Sequence, residues 1–388
     1  MEKSSMSTVP SIAIKCKYCS PYPSHHAANW FGDFLDLFFI YPLTSTVPDR
    51  LMPIFDGISQ FIVDKIYLNF YIATGIIKKE KDFPLEAMQP FEALFMERAR
   101  ARGAKIEALR GPFGYLHTYR MYLNDRWHNV DSLPVADKNS PIADDKWRMK
   151  KIFKKLGYPV AEGRAFWFFQ RNSAIKFAEK LQFPVIVKPR KGSLSQHMFL
   201  VANRKGISSA LNTVAKYSPV FIVEKFISDA TLYRATILNN KQIFVVRRLP
   251  AAVMGDGVSA LEMLAGKIGF KTENLILDVL KNQGIETLES IVPRGKTVAL
   301  TNKAIFALGS RLEPVPISEI HPAFVEMWFD IARRLNLPLV GIDMLVKDHK
   351  VSPDSQTTAL LELNTLPNIL LHNNEVADAL VDSVLASK

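Results

Sequence analysis

The sequence predicts an α+β fold, and three observations carry that prediction. Beyond residue 86 the apolar residues alternate between a helical period and short, strand-length runs. Two pairs of runs meet at turn dipeptides, Asn124-Asp125 and Asn239-Asn240, and so read as antiparallel hairpins. Two further runs, "FPVIVKP" (183–189) and "LLELNTLPN" (360–368), have the length and composition of buried strands.

Composition sets the outer bounds. The chain has 388 residues, 48% hydrophobic and 22% charged, enough for two or three domains with ample core. Its formal charge of +11 suits phosphates, acidic peptides, nucleic acid or an anionic membrane. There is no long Lys/Arg run and no interleaved aromatic and basic platform, so nucleic acid is not the expected partner. The N-terminal "MEKSSMSTVPSIAIKCKYC" lacks the apolar core of a signal peptide. The stretch "FLDLFFIYPL" is short and carries Asp36, far from the ~20 apolar residues of a spanning helix. A soluble, cytoplasmic protein with no membrane partner is expected. Cys16 and Cys19 form a C-x-x-C pair near His25 and His26. A zinc site and a pair of reduced thiols both fit that spacing.

The elements follow in order. Residues 1–85 are aromatic-rich and carry no readable motif, although "ISQFIVDKIYLNFYIATGII" (58–77) suits a packed helix. "LEAMQPFEALFMERARARG" reads as an amphipathic helix stopped by Gly103, "AKIEAL" as a strand and "TYRMYLNDRWHNV" as a hairpin. These make a small α/β unit over 86–135. A basic amphipathic helix follows, opened by Ser140 and the aspartates of "SPIADDKWRMKKIFKKLG" and stopped by Gly157. "SAIKFAEKL" is a second helix, and "FPVIVKP" and "PVFIVEKFI" are strands. "YRATILNNKQIFVVRRLP" is a hairpin, and "ISEIHPAFVEMWFDIARRLNL" a helix opened by Ser318. "PLVGIDMLVKD" and "TTALLELNTLP" are strands joined by a polar loop.

The last two strands hold the chemistry. Side chains alternate faces along a strand, so Glu362 and Asn364 point one way while Leu361 and Leu363 point the other. Asp343 lies in the apolar strand "GIDMLV", where an unpaired carboxylate costs several kcal/mol. If the two strands are neighbours, three oxygen donors converge, as magnesium with a nucleotide phosphate requires. A surface hairpin with polar residues on its wet face fits the spacing equally well.

A resemblance enters here. "DK" (145–146), "FPVIVKP", "VEKFI" (223–227), "RLPAAVMGDGVSALEML" (248–264), "VPRGKTVAL" (292–300), "EIHP" (319–322), "GIDML" (341–345) and "LLELNTLPN" occur in the order of ATP-grasp ligases. The chain most resembles the ATP-grasp module of cyanophycin synthetases over 136–388. The 86–135 unit is similar to a pre-ATP-grasp domain, and residues 1–85 match nothing. The resemblance implies an ATP-grasp fold, in which two α/β subdomains clamp ATP behind a small α/β pre-ATP-grasp domain. It implies an ATP-dependent carboxylate–amine ligase that forms an amide through an acyl phosphate and releases ADP. The implied cofactors are ATP and Mg2+, with Mn2+ as a substitute. The implied partners are an amino acid or peptide carboxylate and an amine, and a homo-oligomer is compatible with it. A nucleotide-binding scaffold without activity and an ATP-grasp kinase are the alternatives.

Residue by residue, Lys146 and Lys188 match the lysines on the ATP phosphates. Glu224, Lys225, Phe226 and Ile227 match the adenine-reading hinge. Asp343, Glu362 and Asn364 match the metal ligands, and Arg234 and Arg248 match arginines at the reacting centre. The sequence departs from the pattern in the loop "RKGSLSQHMF", where only Gly192 is kept and Ser193 and Ser195 are left to supply phosphate donors. His197 stands where glycine is expected, as do Ile305 and Gly309-Ser310 for an Asn and a Gly-Gly segment. Gly255-Asp256-Gly257 reads as a tight turn.

Overall fold

The computed structural model describes residues 26–35, 37, 68–112, 114–136, 145–192, 196–270, 277–301, 310–372 and 374–386. Cys16, Cys19, His25, Ser140, Ser193, Ser195, Ile305 and Gly309 lie outside these residues. Helix α1 (His26–Leu35) packs Trp30 edge-on to Phe168 and donates its indole N–H to the Ala215 carbonyl at 3.1 Å. The helix expected over 58–77 is helical only as α2 (Leu68–Ala73) within its described part. The chain then turns and forms β1 (Lys78–Glu80), a strand too short and too polar to be legible.

Helix α3 (Pro90–Ala101) opens with Pro90 in its first turn, and the Gln89 N–H donates to the Glu92 carboxylate at 3.3 Å. Strands β2 (Ile106–Gly111), β3 (Gly114–Leu123) and β4 (Arg126–Asp131) join β1 in an antiparallel sheet of order β1-β2-β3-β4. Asn124 and Asp125, at φ +50° and +60°, make the two-residue turn between β3 and β4.

The second sheet follows helix α4 (Lys146–Lys155). Its strands are β5 (Gly163–Trp167), β6 (Val185–Pro189), β7 (Phe199–Val201) and β8 (Val220–Lys225), in order β5-β8-β6-β7. Helices α5 (Arg171–Leu181) and α6 (Arg204–Val214) cover one face, burying Ala174, Ala178, Ile207 and Leu211 on Val185, Val187, Phe221 and Val223. The alternate residues Ile186, Lys188, Ile222 and Glu224 occupy the other face.

The third sheet opens with the hairpin of β9 (Thr231–Leu238) and β10 (Gln242–Leu249), turning at Asn239 and Asn240, φ +51° and +55°. A compact excursion carries β11 (Ala252–Met254), α7 (Leu261–Lys267), α8 (Leu277–Lys281) and β12 (Thr297–Ala299) around its own core. At its start Asp256 accepts from the N–H groups of Val258 and Ser259, at 3.0 and 2.6 Å, which fixes the expected turn. The chain returns as β13 (Arg311–Pro314), α9 (Pro322–Arg334), β14 (Leu339–Val346), β15 (Ala359–Asn364) and α10 (Glu375–Ala386). The sheet order is β13-β10-β9-β14-β15. Ser318 does not open α9: it lies in a short 3-10 turn, and His321 caps the helix by accepting from Ala323 N–H at 3.3 Å. Pro322 at the first helical position explains the displaced start.

Helix α9 covers one face of the third sheet, with Phe324, Trp328 and Ile331 on Ile342, Met344 and Leu360. Met149 and Phe153 of α4 enter the same core. Helix α10 packs on α3 and the first sheet, where Arg102 pairs with Asp378 at 2.9 Å and Asp382 at 2.8 Å. Among the described residues no helix is long and apolar enough to cross a membrane.

Candidate active site

The face of the third sheet opposite α9 gathers the residues singled out on its strands. Asp343 sits directly across from Glu362 on one side and from Arg234 on the other. Asn364 faces Gly341 two pairs further along. The ladder slips between Asp343 and Met344, leaving Leu361 without a partner. This bulge corrects the simple alternation expected from sequence. Leu360 and Leu363, three apart, share the apolar face with α9, while Glu362 and Asn364 share the polar one.

Arg234 is buried and grips Asp343 with its fork, from Nε to Oδ1 and from Nη2 to Oδ2 at 2.7 Å. Arg248 reaches Oδ2 of the same carboxylate at 3.4 Å. Burial pushes the Asp343 carboxyl up, but the charge and hydrogen bonds of Arg234 override it and hold Asp343 below the usual carboxylate range. Gly341 makes the space: a Cβ there would lie 2.8 Å from Arg234 Nη1 and 3.1 Å from Pro367 Cβ. Thr236, next along β9, hydrogen-bonds the Nε2 of buried His372 at 2.7 Å. Burial and the nearby Arg234 charge pull that imidazole down to about 3.

Metal fit follows from the donor set. Asp343, Glu362 and Asn364 offer hard oxygen donors on adjacent strands, as Mg2+ prefers. Among the described residues the Glu362 carboxylate receives no hydrogen bond, and the buried Nδ2 of Asn364 has no partner. Asp343 keeps lone pairs beyond those facing the guanidinium groups. The residues fit a magnesium ion held jointly with substrate phosphate.

A second cluster lies on the face of the second sheet opposite α5 and α6. Glu224 is buried between two lysines: Lys188 Nζ lies 2.5 Å from Oε1, and Lys150 Nζ 2.7 Å from Oε2. Lys150 also donates to the Ala161 carbonyl at 2.7 Å. Burial alone would raise the Glu224 carboxyl, but the two ammonium groups take it down to about 2. Gly163 on β5 lies opposite Glu224, and a Cβ there would come within 2.8 Å of Glu224 Cβ. The chain beyond Glu224 is divided in its tasks. Lys225 turns its ammonium to the carbonyls of Leu181 and Gln182, at 2.9 and 2.8 Å, at the end of α5. The Phe226 N–H donates to Pro184 O at 3.3 Å, and Ile227 makes no backbone hydrogen bond among the described residues.

The loop after β6 is anchored at its root. Arg190 grips Asp145 from Nε at 2.9 and 3.0 Å and from Nη2 at 2.5 Å. Asp145 also caps α4, accepting from Trp147 and Arg148 N–H at 3.1 and 2.8 Å. Lys146 donates its ammonium to the Gly192 carbonyl. His197, in the place of an expected glycine, has φ +53° and stacks on Tyr217 with centroids 3.8 Å apart. The backbone thus keeps the left-handed shape that glycine would adopt freely, and the ring packs to compensate.

Sequence reasoning missed Lys150, Arg190, Gly163, Gly341 and His372. Lys150 was hidden in a basic helix, yet its place four residues after Lys146 on the same helical face was a usable signal. The glycines and His372 carry no local signal, because their partners come from distant strands.

Comparison with known proteins defines the class. The family described as the D-ala D-ala ligase C-terminus matches residues 152–255. A crystal structure of a bifunctional glutathione synthetase from Pasteurella multocida shares the fold, with a TM-score of 0.56 at 18% identity over 78% of this chain and 44% of that one. The fold is that of the ATP-grasp ligases. Its curated relatives include a bifunctional glutathione biosynthesis protein of Streptococcus mutans, 25% identical over 63% of this chain and 36% of that protein. They also include the cyanophycin synthetase of Crocosphaera subtropica, 26% identical over 60% of this chain and 28% of that protein. The matched region thus spans about a third of the length of these relatives.

Proposed function

We propose that the protein is an ATP-dependent carboxylate–amine ligase acting on an amino acid or peptide with Mg2+. One observation carries the reading: Asp343, Glu362 and Asn364 stand together on neighbouring strands, with Arg234 and Arg248 on the Asp343 carboxylate. In the proposed reaction a substrate carboxylate oxygen attacks the terminal phosphorus of ATP, and ADP leaves. An amine then attacks the acyl carbon, the amide forms, a proton is lost and phosphate departs. Asp343, Glu362 and Asn364 would hold the magnesium ion, whose charge would offset that of the phosphate.

The side chains divide the remaining work. Arg234 spends its fork on Asp343 and acts by holding that carboxylate still. Arg248 makes a single longer contact, and we assign it to the charge developing on the transferred phosphoryl and acyl groups. Lys146 and Lys188 serve the ATP phosphates as point charges. Glu224 and the free backbone at Ile227 serve the base, and Gly192 with Ser193 and Ser195 the phosphate loop.

The test is ADP release from MgATP across a panel of amino acids and peptides, with hydroxylamine as an alternative nucleophile. ADP and a trapped hydroxamate are expected. Pyrophosphate with AMP, or phosphate kept on a stable acceptor, would overturn the ligase assignment.

A further inference from the structure

We propose that Lys150 is a positioning residue that keeps Glu224 a pure hydrogen-bond acceptor and so sets the preference for a 6-amino purine nucleotide. The inference rests on the reading of Glu224 as the base-recognising group. Its own basis is the asymmetry between the two lysines on that carboxylate.

Lys150 is held from two sides, by Glu224 Oε2 and by the Ala161 carbonyl, both at 2.7 Å. Lys188 makes its one contact among the described residues with Glu224 Oε1. One ammonium neutralises the carboxylate. The second makes the buried cluster net positive, which is costly in a dry site unless an anion joins it. The group with one contact is the group able to turn to an arriving phosphate. Lys150 then stays as the sole cation on Glu224 and keeps it ionised.

An ionised carboxylate accepts hydrogen bonds and donates none. It therefore pairs with an exocyclic amine and repels the carbonyl at the same place on a 6-oxo purine. Helix α4 fixes Lys150 in turn. Met149 and Phe153 bury themselves in the third-sheet core, while Lys150 reaches across to Glu224 of the second sheet. The position of the acceptor is thus tied to the packing between the two sheets.

The experiment compares the binding of MgATP and MgITP by calorimetry on the full chain. Lys150→Met keeps the length of the stem and removes the charge. It is expected to lower the ATP-over-ITP affinity ratio roughly tenfold, the value of one charge-assisted hydrogen bond lost. A merely structural lysine would weaken both nucleotides alike and leave the ratio unchanged. Should the Met variant melt below the assay temperature, Lys150→Arg replaces it. Arginine keeps the charge that holds Glu224 ionised, so the ratio should stay within a few-fold of the wild type in this variant, and a tenfold fall there overturns the proposal. Glu224→Gln separates the inference from its foundation, because an amide can donate to a carbonyl and should favour ITP. An unchanged ratio in Glu224→Gln overturns the base-reading role of Glu224, and the role of Lys150 with it. A shifted ratio there, with an unchanged ratio in Lys150→Met or a tenfold lower one in Lys150→Arg, overturns Lys150 alone.

Discussion

Replacing Arg234 with methionine should expose the cost of the charge at the centre of the third sheet. Arg234 and Asp343 are 4% and 6% exposed, so neither charge is solvated. Methionine keeps the apolar stem and removes the fork. Asp343 is then left with Arg248 at 3.4 Å and with Glu362 directly across the ladder. Removing one partner of a buried pair costs about 3–5 kcal/mol. At 2–4 °C per kcal/mol for a cooperative unit of ordinary domain size, Tm should fall by roughly 6–20 °C. The pH dependence gives a sharper signature. In the wild type the folded pKa of Asp343 lies below its unfolded value of about 3.9. Its contribution is complete above that value and is lost as pH falls through the lower, folded one. Without Arg234, burial lifts the folded value above the unfolded one, so protonation relieves the variant. The deficit should be largest at pH 8 and shrink toward pH 5 in thermal melts. A deficit under about 2 °C at pH 8, or one that grows on acidification, refutes the reasoning. The double replacement Arg234→Met with Asp343→Leu should recover part of the loss, because the unpaired buried carboxylate is gone while Arg248 loses its contact with Asp343.

Three further outcomes follow from the same geometry. Gly341→Ala places a methyl 2.8 Å from Arg234 Nη1 and should cost about 1–3 kcal/mol, read as a lowered Tm with a weakened Arg234–Asp343 grip. Glu362→Gln should move the magnesium dependence of ADP release to higher concentration while leaving the melting curve in place; an unchanged dependence removes Glu362 from the metal set. His372, held at about 3 when folded against about 6.5 unfolded, opposes folding increasingly as pH falls from 6.5 toward 3. His372→Gln should flatten the loss of stability between pH 6.5 and 4, and an equally steep loss in the variant would show that another group titrates there.

The strands and hairpins were legible because their signals are local. The Asn-rich turns, the "FPVIVKP" run and the Glu362-Asn364 pair each need only a few neighbouring residues. What escaped depends on pairing. Three-residue β1 reads as nothing until β2 lies beside it. The bulge at Leu361 is invisible in a run of leucines, because only the partner strand shows which residue is left over. Ser318 had the chemistry of a cap, yet the proline four residues later moved the helix start beyond it. The three proposed ligands stand out in the sequence as isolated polar residues in apolar strands. Arg234 had also been singled out, but its grip on Asp343 needed the β9–β14 register to be seen.

One physical pattern unites the site. Asp145, Glu224 and Asp343 are buried carboxylates, and each is held by cationic side chains from other elements: Arg190, Lys150 with Lys188, and Arg234 with Arg248. Apolar residues of similar volume in these places would often give equal or greater stability, because desolvation offsets most of the attraction. The contribution of such pairs is geometric. Asp145–Arg190 ties the start of α4 to the root of the loop after β6, Glu224–Lys150 ties α4 to β8, and Asp343–Arg234 locks β14 to β9. Helix α4 takes part in two of the three, and its apolar side is buried in the third sheet. A shift of that helix therefore moves the loop root and Glu224 together. The groups proposed to hold phosphate and base are thus set by one rigid element before any nucleotide arrives, as efficient stabilisation of a charged transition state requires.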